Sequence, residues 1–350
     1  NRSEAETTLL RESRVTTARP DVDGRRARPS GSPASHVTRE GSKTRAEDRR
    51  AFDATARTLP GPAVRRPVRR VDRRLASRSR CGNYYPDAHL SPDVHAHDYH
   101  VHSNYSDGDL LWRMVRAAEA AGLERVGVAD HCNVSTDDRQ RRRSYAMGFN
   151  LDLTHERRRE ALAYVDDRVD VAVLDAVEVD YSPDDEGRIR ACLDDAGFAY
   201  ALGSVHFVDG RNVQSASAFA DDDAEERRRV VERYVEDLVA LVESELFEVA
   251  AHVDLVERNP HLRGFMGRAE YDRVAAALAD ARTVPELNAG RALDDYGEFH
   301  PTPEFVAALR EHDVPLVPGS DSHSPSELRE RTPVLAERFA DLGLEPARVV

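Results

Sequence analysis

The sequence predicts an α/β protein in which a parallel sheet, closed as a barrel or doubly wound, follows a disordered arm. Three observations carry this expectation. From about Asp98 onward, short β-branched runs alternate with longer helical stretches. Almost every run ends on a His or a carboxylate, as though one end of the sheet were reserved for chemistry. The composition changes near residue 92, and no internal repeat is found.

The arm comes first. Residues 1–92 are rich in Arg, Ser, Thr and Pro, as in RRARPSGSPAS and RRPVRRVDRRLASRSR, with few large apolar residues and no sustained period. Such a composition cannot bury enough apolar surface to offset chain entropy, so disorder is expected over 1–92 and a folded domain over 93–350. The arm carries a net charge of +10 and the remainder −24. An acidic body of this kind repels long nucleic acids and anionic membranes, and favours a small substrate. The arm's basic clusters lack the interleaved aromatics of a nucleic-acid-binding segment. Lys43 is the only lysine, a balance that suits solubility in high salt.

Seven strands are expected beyond the arm. Tyr99–Ser103 carries His100 and His102, two residues apart, so both imidazoles face one side. A helix over Leu110–Ala121 follows, with Asp109 as its N-cap. Arg125–Asp130 delivers Asp130 and His131 before a helix over Leu151–Asp167, and Val171–Val179 delivers Glu178 before Glu186–Ala196. Ala199–Val205 leads to His206, and the acids Asp221, Asp222 and Asp223 precede a helix over Ala224–Glu245, where they complement its dipole. Phe247–His252 ends on His252, before Ala269–Ala281. Thr283–Asn288 presents Glu286 and Asn288, before Pro303–Glu311. Val314–Gly319 leads to Asp321 and His323, and a last helix is expected near Val334–Leu342.

A lone His at a strand end is more often a hydrogen-bonded structural residue than a ligand. Five such ends, with an HxH and a DxH pair, reverse that balance. Imidazole and carboxylate without thiolate suit Zn²⁺, Mn²⁺ or Fe²⁺, and about eight ligands exceed the needs of one ion. Cys81, Cys132 and Cys192 are odd in number and form no CxxC, which indicates neither a disulfide framework nor a thiolate site and fits a reducing cytoplasm. Cys132 is expected to be a small packed residue. No apolar run approaches 18 residues, so no membrane span is expected.

The motifs DYHVHSNYSDG, VADHCN, AVEVDY, GSVHFVDG, AAHVDL and PGSDSH, in that order from about Asp98 to Ser324, resemble those of the PHP (polymerase and histidinol phosphatase) family of metallophosphoesterases. GSVHFVDGRNV and PELNAGRALDDYGEFHPTPEFVAAL resemble its histidinol-phosphatase branch. The resemblance implies a distorted seven-stranded TIM-like (β/α) barrel and a cluster of two to three divalent ions. Carried over by position, His100, His102, Glu178 and Asp321 would hold one metal. Glu178 would bridge to a second, completed by His206 and His252. His131 and His323 would hold a third, with Asp107 standing where many relatives place another His.

Catalysis is then expected to centre on Glu178, His206 and Asp321. A hydroxide bridging two ions would attack phosphorus in line with the leaving alkoxide. Arg211 and Arg291 are expected to contact the phosphate, although most of the 49 arginines must be solvated surface charges. The substrate implied is a small phosphorylated metabolite, L-histidinol phosphate. The alternatives are a phosphoesterase acting on nucleotides or short oligonucleotides, and a non-catalytic metal-binding module. His95 and His97 read as linker histidines; His155, His261, His300 and His312 read as structural or solvent-facing, with His261 and His300 candidates to line a pocket. Glu286 and Asn288 are expected to orient ligands.

Overall fold

The strand β1 (His97–Val101) is buried at all five positions, as a strand covered on both faces must be. This computed structural model describes residues 96–350; the arm expected over 1–92, His95 and Cys81 lie outside them. After β1 come α1 (Leu111–Ala120), β2 (Arg125–Cys132), α2 (Asp138–Met147), α3 (Leu151–Asp166), β3 (Ala172–Asp180), α4 (Glu186–Ala196) and β4 (Tyr200–Ser204). A small hairpin, β5 (Phe207–Val208) and β6 (Arg211–Asn212), precedes α5 (Ala224–Glu243). The chain continues through β7 (Val249–Ala250), α6 (Arg268–Ala279), β8 (Val284–Asn288), α7 (Pro303–Glu311), β9 (Val317–Gly319) and α8 (Pro325–Leu342).

Among the described residues the main sheet has seven parallel strands in the order β1-β2-β3-β4-β7-β8-β9. Its ends come together beyond β9. Val101 bridges Ser322, the His102 amide donates to the Ser322 carbonyl (3.0 Å), and the Asp321 amide donates to the His100 carbonyl (2.8 Å). The buried Asp98 carboxylate adds a link, accepting from the Ser320 amide at 3.0 Å. The result is a nearly closed α/β barrel, so all strand ends face one mouth.

Alternate strand positions sort into two cores. Val177, Ala201 and Ala250 pack outward with Tyr234, Leu238 and Phe305 of the helices, whereas Ala129, Ala176, Leu202 and Val249 form a separate cluster with Tyr99 and Tyr200. The β1–β2 ladder shifts register between Asp98 and Val101, an irregularity of the kind that re-aims side chains beside a site.

Several expectations need correction. His97 is no linker histidine: it opens β1, is 5% exposed, and its Nδ1 lies 3.0 Å from the Tyr99 hydroxyl. Asp109 does not cap α1, whose N-cap is Leu110; the side chain of Asn104 takes the Leu111 amide (2.7 Å), while Asp109 takes that of Leu110. The last helix starts nine residues earlier than expected and runs through Pro333, because Ser324 and Glu327 form a capping box and Pro325 occupies the first turn. α2 and the β5–β6 hairpin were not expected at all. Asp223, in contrast, caps α5 in a box with Glu226.

Candidate metal centre

Register builds the cluster. The β2–β3 ladder sets His131 opposite Glu178, so His131 Nδ1 lies 2.8 Å from Glu178 Oε2. From β1 and the residue after it, His100 Nε2 and His102 Nε2 come within 3.0 Å of each other and 3.4 and 3.6 Å of Glu178 Oε2. Asp321 Oδ1 is 3.3 Å from His102 Nε2 and 3.9 Å from His100 Nε2. Across the carboxylate, His252 Nε2 and His206 Nε2 stand 3.0 and 3.6 Å from Glu178 Oε1. Asp107 faces three imidazoles, with His323 Nε2 at 3.3 Å, His131 Nε2 at 3.7 Å and His102 Nδ1 at 3.8 Å. All nine residues expected as ligands therefore meet in one place.

Donor atoms within 4.8 Å of one another fall into three overlapping groups: His100, His102 and Glu178; His131, Glu178 and His206; His102, Asp107, His131 and His323. Two imidazole nitrogens 3.0 Å apart with no acceptor between them are atoms short of a partner. A divalent cation fits that deficit and this thiolate-free donor set.

Outer contacts fix ring orientation. Glu286 Oε1 accepts from His100 Nδ1 at 2.9 Å, and its other oxygen accepts from the His252 amide (3.2 Å) and the Asn288 side chain (3.0 Å). Asp180 Oδ1 holds His206 Nδ1 at 2.5 Å. Each leaves the far imidazole nitrogen, Nε2, aimed at Glu178, the arrangement seen around metal-ligating histidines. His252 and Asp321 leave their strands with φ of 30° and 50°, so two members of the cluster carry backbone strain.

The electrostatics show the same demand for positive charge. Burial presses the Glu178 carboxyl upward, but the charges on His131 and His100 outweigh it and hold it well below the usual carboxylate range. Burial would likewise lower His131, yet Glu178 and Asp107 carry it up to about 9. His102, buried beside His323 and His131, is pushed down to about 4. Three carboxylates this close together, Glu178 buried and Asp107 and Asp321 nearer the cleft, draw cationic charge into the site.

A cleft of about 340 Å³ opens over the cluster. Of the two arginines expected at the phosphate, Arg291 lines this cleft, half-exposed and paired with Asp294. Arg211 does not: it pairs with Asp222 at 2.7 Å and stacks over Phe219. Neither His261 nor His300 lines the cleft; His300 is fully buried, 2.6 Å from Asp254. Residues that sequence reasoning passed over stand there instead. Arg258 lines the wall with two nitrogens, Nε and Nη2, that have no partner, while its Nη1 donates to Gln214. Phe149 stacks on His131 at 4.8 Å, and Arg143 of α2 lies at the rim. Arg258 stands six residues beyond His252 in AAHVDLVERNP, a position that might have been read had it not been one of 49 arginines. Cys132 turns away from the centre and meets Cys192, sulfur to sulfur at 3.9 Å.

The structure is thus a nearly closed parallel α/β barrel whose mouth gathers imidazoles and carboxylates in a donor set that suits divalent metal ions. The chain belongs to the PHP family: the PHP domain model matches residues 98–289, more than half of it. It is 25% identical over 181 residues, 50% of this chain and 66% of the relative, to a protein of Deinococcus radiodurans named probable histidinol-phosphatase. Its fold resembles that of a histidinol phosphate phosphatase from Lactococcus lactis, solved with zinc, L-histidinol and phosphate (TM-score 0.56, 21% identity, 69% of this chain and 93% of that one). A crystal structure from Listeria monocytogenes matches similarly (TM-score 0.57, 18% identity, 66% and 96%). No helix among the described residues is long and apolar enough to cross a membrane.

Proposed function

We propose that this protein is a divalent-metal-dependent phosphomonoesterase that hydrolyses L-histidinol phosphate to histidinol and phosphate. The observation that carries the reaction class is the meeting of His100, His102, Asp107, His131, Glu178, His206, His252, Asp321 and His323 beneath one cleft. The substrate rests on the Deinococcus and Lactococcus relatives. We assign His100, His102, Glu178 and Asp321 to one ion, Glu178 with His206 and His252 to a second, and His131, His323 and Asp107 to a third. Bound zinc, manganese or iron would supply a nucleophile at neutral pH and offset the charge that develops on the phosphate.

The protein's own groups do the rest. Asp180 and Glu286 hold the Nδ1 protons of His206 and His100, which fixes each ring and leaves Nε2 free to bind. Arg258 lines the cleft wall and brings positive charge to a phosphate there, and Arg291 is a second contact at the rim. Arg211 is already committed to Asp222, so Arg258 takes the role expected of it. Phe149 walls one side of the cleft against water.

Phe149 and Arg143 also favour a second reading, a nucleotide whose base stacks on the ring while its backbone meets the guanidinium. The test is phosphate release from a panel of phosphorylated metabolites and nucleotides by manganese- or zinc-loaded protein. Histidinol phosphate is expected to give the highest kcat/KM. A preference for nucleotides would move the assignment to the second reading, and no turnover of any phosphoester would end both.

A further inference from the structure

Arg158, on α3, is the largest side chain in the structure with essentially no exposed surface. Burying a guanidinium is costly, and here it is met by two carboxylates and two carbonyls. Nη1 donates to Asp130 (2.9 Å) and the Val128 carbonyl (3.1 Å); Nη2 donates to Asp175 (2.6 Å) and, closely, to the Ala176 carbonyl. Buried ion pairs of this type contribute little net stability compared with apolar residues of similar size. Their presence needs another reason, and what Asp130 holds supplies one.

Asp130 also holds the turn that follows His102. Its oxygens accept from the Ser103 amide (2.7 Å), the Ser103 hydroxyl (2.8 Å) and the Ser106 hydroxyl (2.8 Å). The turn closes on itself, the amides of Ser106 and Gly108 both donating to the Ser103 carbonyl at 3.0 and 2.9 Å. It also presses against His102, for a Cβ on Gly108 would lie 2.5 Å from the His102 carbonyl. Inside that turn stands Asp107, facing His102, His131 and His323. Asp107 is a short acid, so the height of its turn decides whether its carboxylate reaches the three imidazoles.

We propose that Arg158 is a positioning residue: through Asp130 it fixes the Ser103–Gly108 turn and thereby sets Asp107 for a divalent ion shared with His131 and His323. The inference rests on the metal-holding part of the reading above and is independent of the substrate.

The experiment compares the full chain with the double variant Arg158→Met/Asp130→Asn, which removes the guanidinium together with the carboxylate that holds the turn, while Asp175 keeps its pair with Arg159 at 2.7 Å. Ser106→Ala, which removes a hydroxyl that bonds Asp130 Oδ1 at 2.8 Å and lies 3.4 Å from His102 Nδ1, is the second variant. Zinc stoichiometry and stepwise affinity are read by titration against a competing chelator, alongside circular dichroism and the thermal midpoint. The double variant is expected to fold, to keep its tighter zinc ions, and to bind the weakest roughly 10- to 100-fold less well. Ser106→Ala should weaken the same step by a smaller factor. Arg158→Lys, with one arm in place of two, should fall between it and the double variant.

Unchanged affinity at every step in folded double and Ser106→Ala variants would overturn the inference while leaving the metal assignment standing. An equal loss at all steps would also overturn it, marking Arg158 as a general structural residue. If the unmodified protein bound no divalent ion, both the inference and the reading beneath it would fail. Should the double variant not fold, Ser106→Ala and Arg158→Lys decide the matter on the same readout.

Discussion

Glu178 is the residue on which the proposed site turns. Both of its oxygens serve different imidazoles, Oε1 facing His206 and His252 and Oε2 facing His100, His102 and His131. Replacing it by Gln keeps the shape but exchanges one charged acceptor for a donor amide aimed at ligand nitrogens. Glu178→Gln should bind at least one ion fewer per chain and lose about 100-fold or more in kcat, since even outer-shell partners cost 10- to 100-fold. Full metal content with full activity would remove Glu178 from the centre. Arg258 poses the opposite problem. Truncating a charged contact to a bound phosphate costs about 2–5 kcal/mol, so Arg258→Ala should lower kcat/KM by roughly 30-fold or more. Metal content should not change. The histidines and acids could be read from the sequence because almost every strand run ends on one. Arg258 could not: nothing in sequence distinguishes a guanidinium with idle donors from one spent on a neighbour, as Arg211 is on Asp222.

At the scale of elements, the strands could be anticipated wherever β-branched residues ran together, as in Ala172–Asp180, and only their lengths differed. β7 has two residues where six were expected, because His252 and Asp254 leave the ladder to serve the centre and His300. α2 could not be seen: DRQRRRSYAM buries only Gln140 and Ser144, so it has no apolar stripe, and Asp137 caps it instead. β8 and β9 show how closely an element constrains the site. At Gly319 a Cβ would fall 1.6 Å from Glu286 Oε1, the atom that holds His100. Gly319→Ala should therefore displace Glu286, cost about 1–3 kcal/mol in unfolding free energy, and weaken metal binding through His100. Chelator titration beside urea melts would test it. Loss of stability without any change in metal affinity would mean that Glu286 does not orient the ligand.

The whole molecule carries its acidity into places where it is a burden. Over 93–350 the net charge is −24, and some acids are buried without full compensation. Asp237 on α5 is 8% exposed, with Arg233 Nε 3.4 Å away as its one cation and Asp209, Glu236 and Asp184 nearby. Burial first, then those three acids, push it up to about 6 against Arg233, from 3.8 in an unperturbed Asp. The folded chain thus holds this proton more tightly than the unfolded one. Below about pH 4 both forms are protonated and Asp237 does not disfavour the fold. As the pH climbs toward 6 the unfolded chain releases its proton first, and stability falls. Above 6 both are ionised and the folded state carries a constant penalty, on the order of 1–3 kcal/mol. Asp237→Asn removes the charge at every pH, so it should raise the thermal midpoint at pH 8 by about 2–6 °C and change it little at pH 4. Paired melts at the two pH values decide it. A loss at pH 8 would mean that the Arg233 ion pair, and not the burial of charge, governs this position, and an equal gain at both would mean that its charge does not govern it.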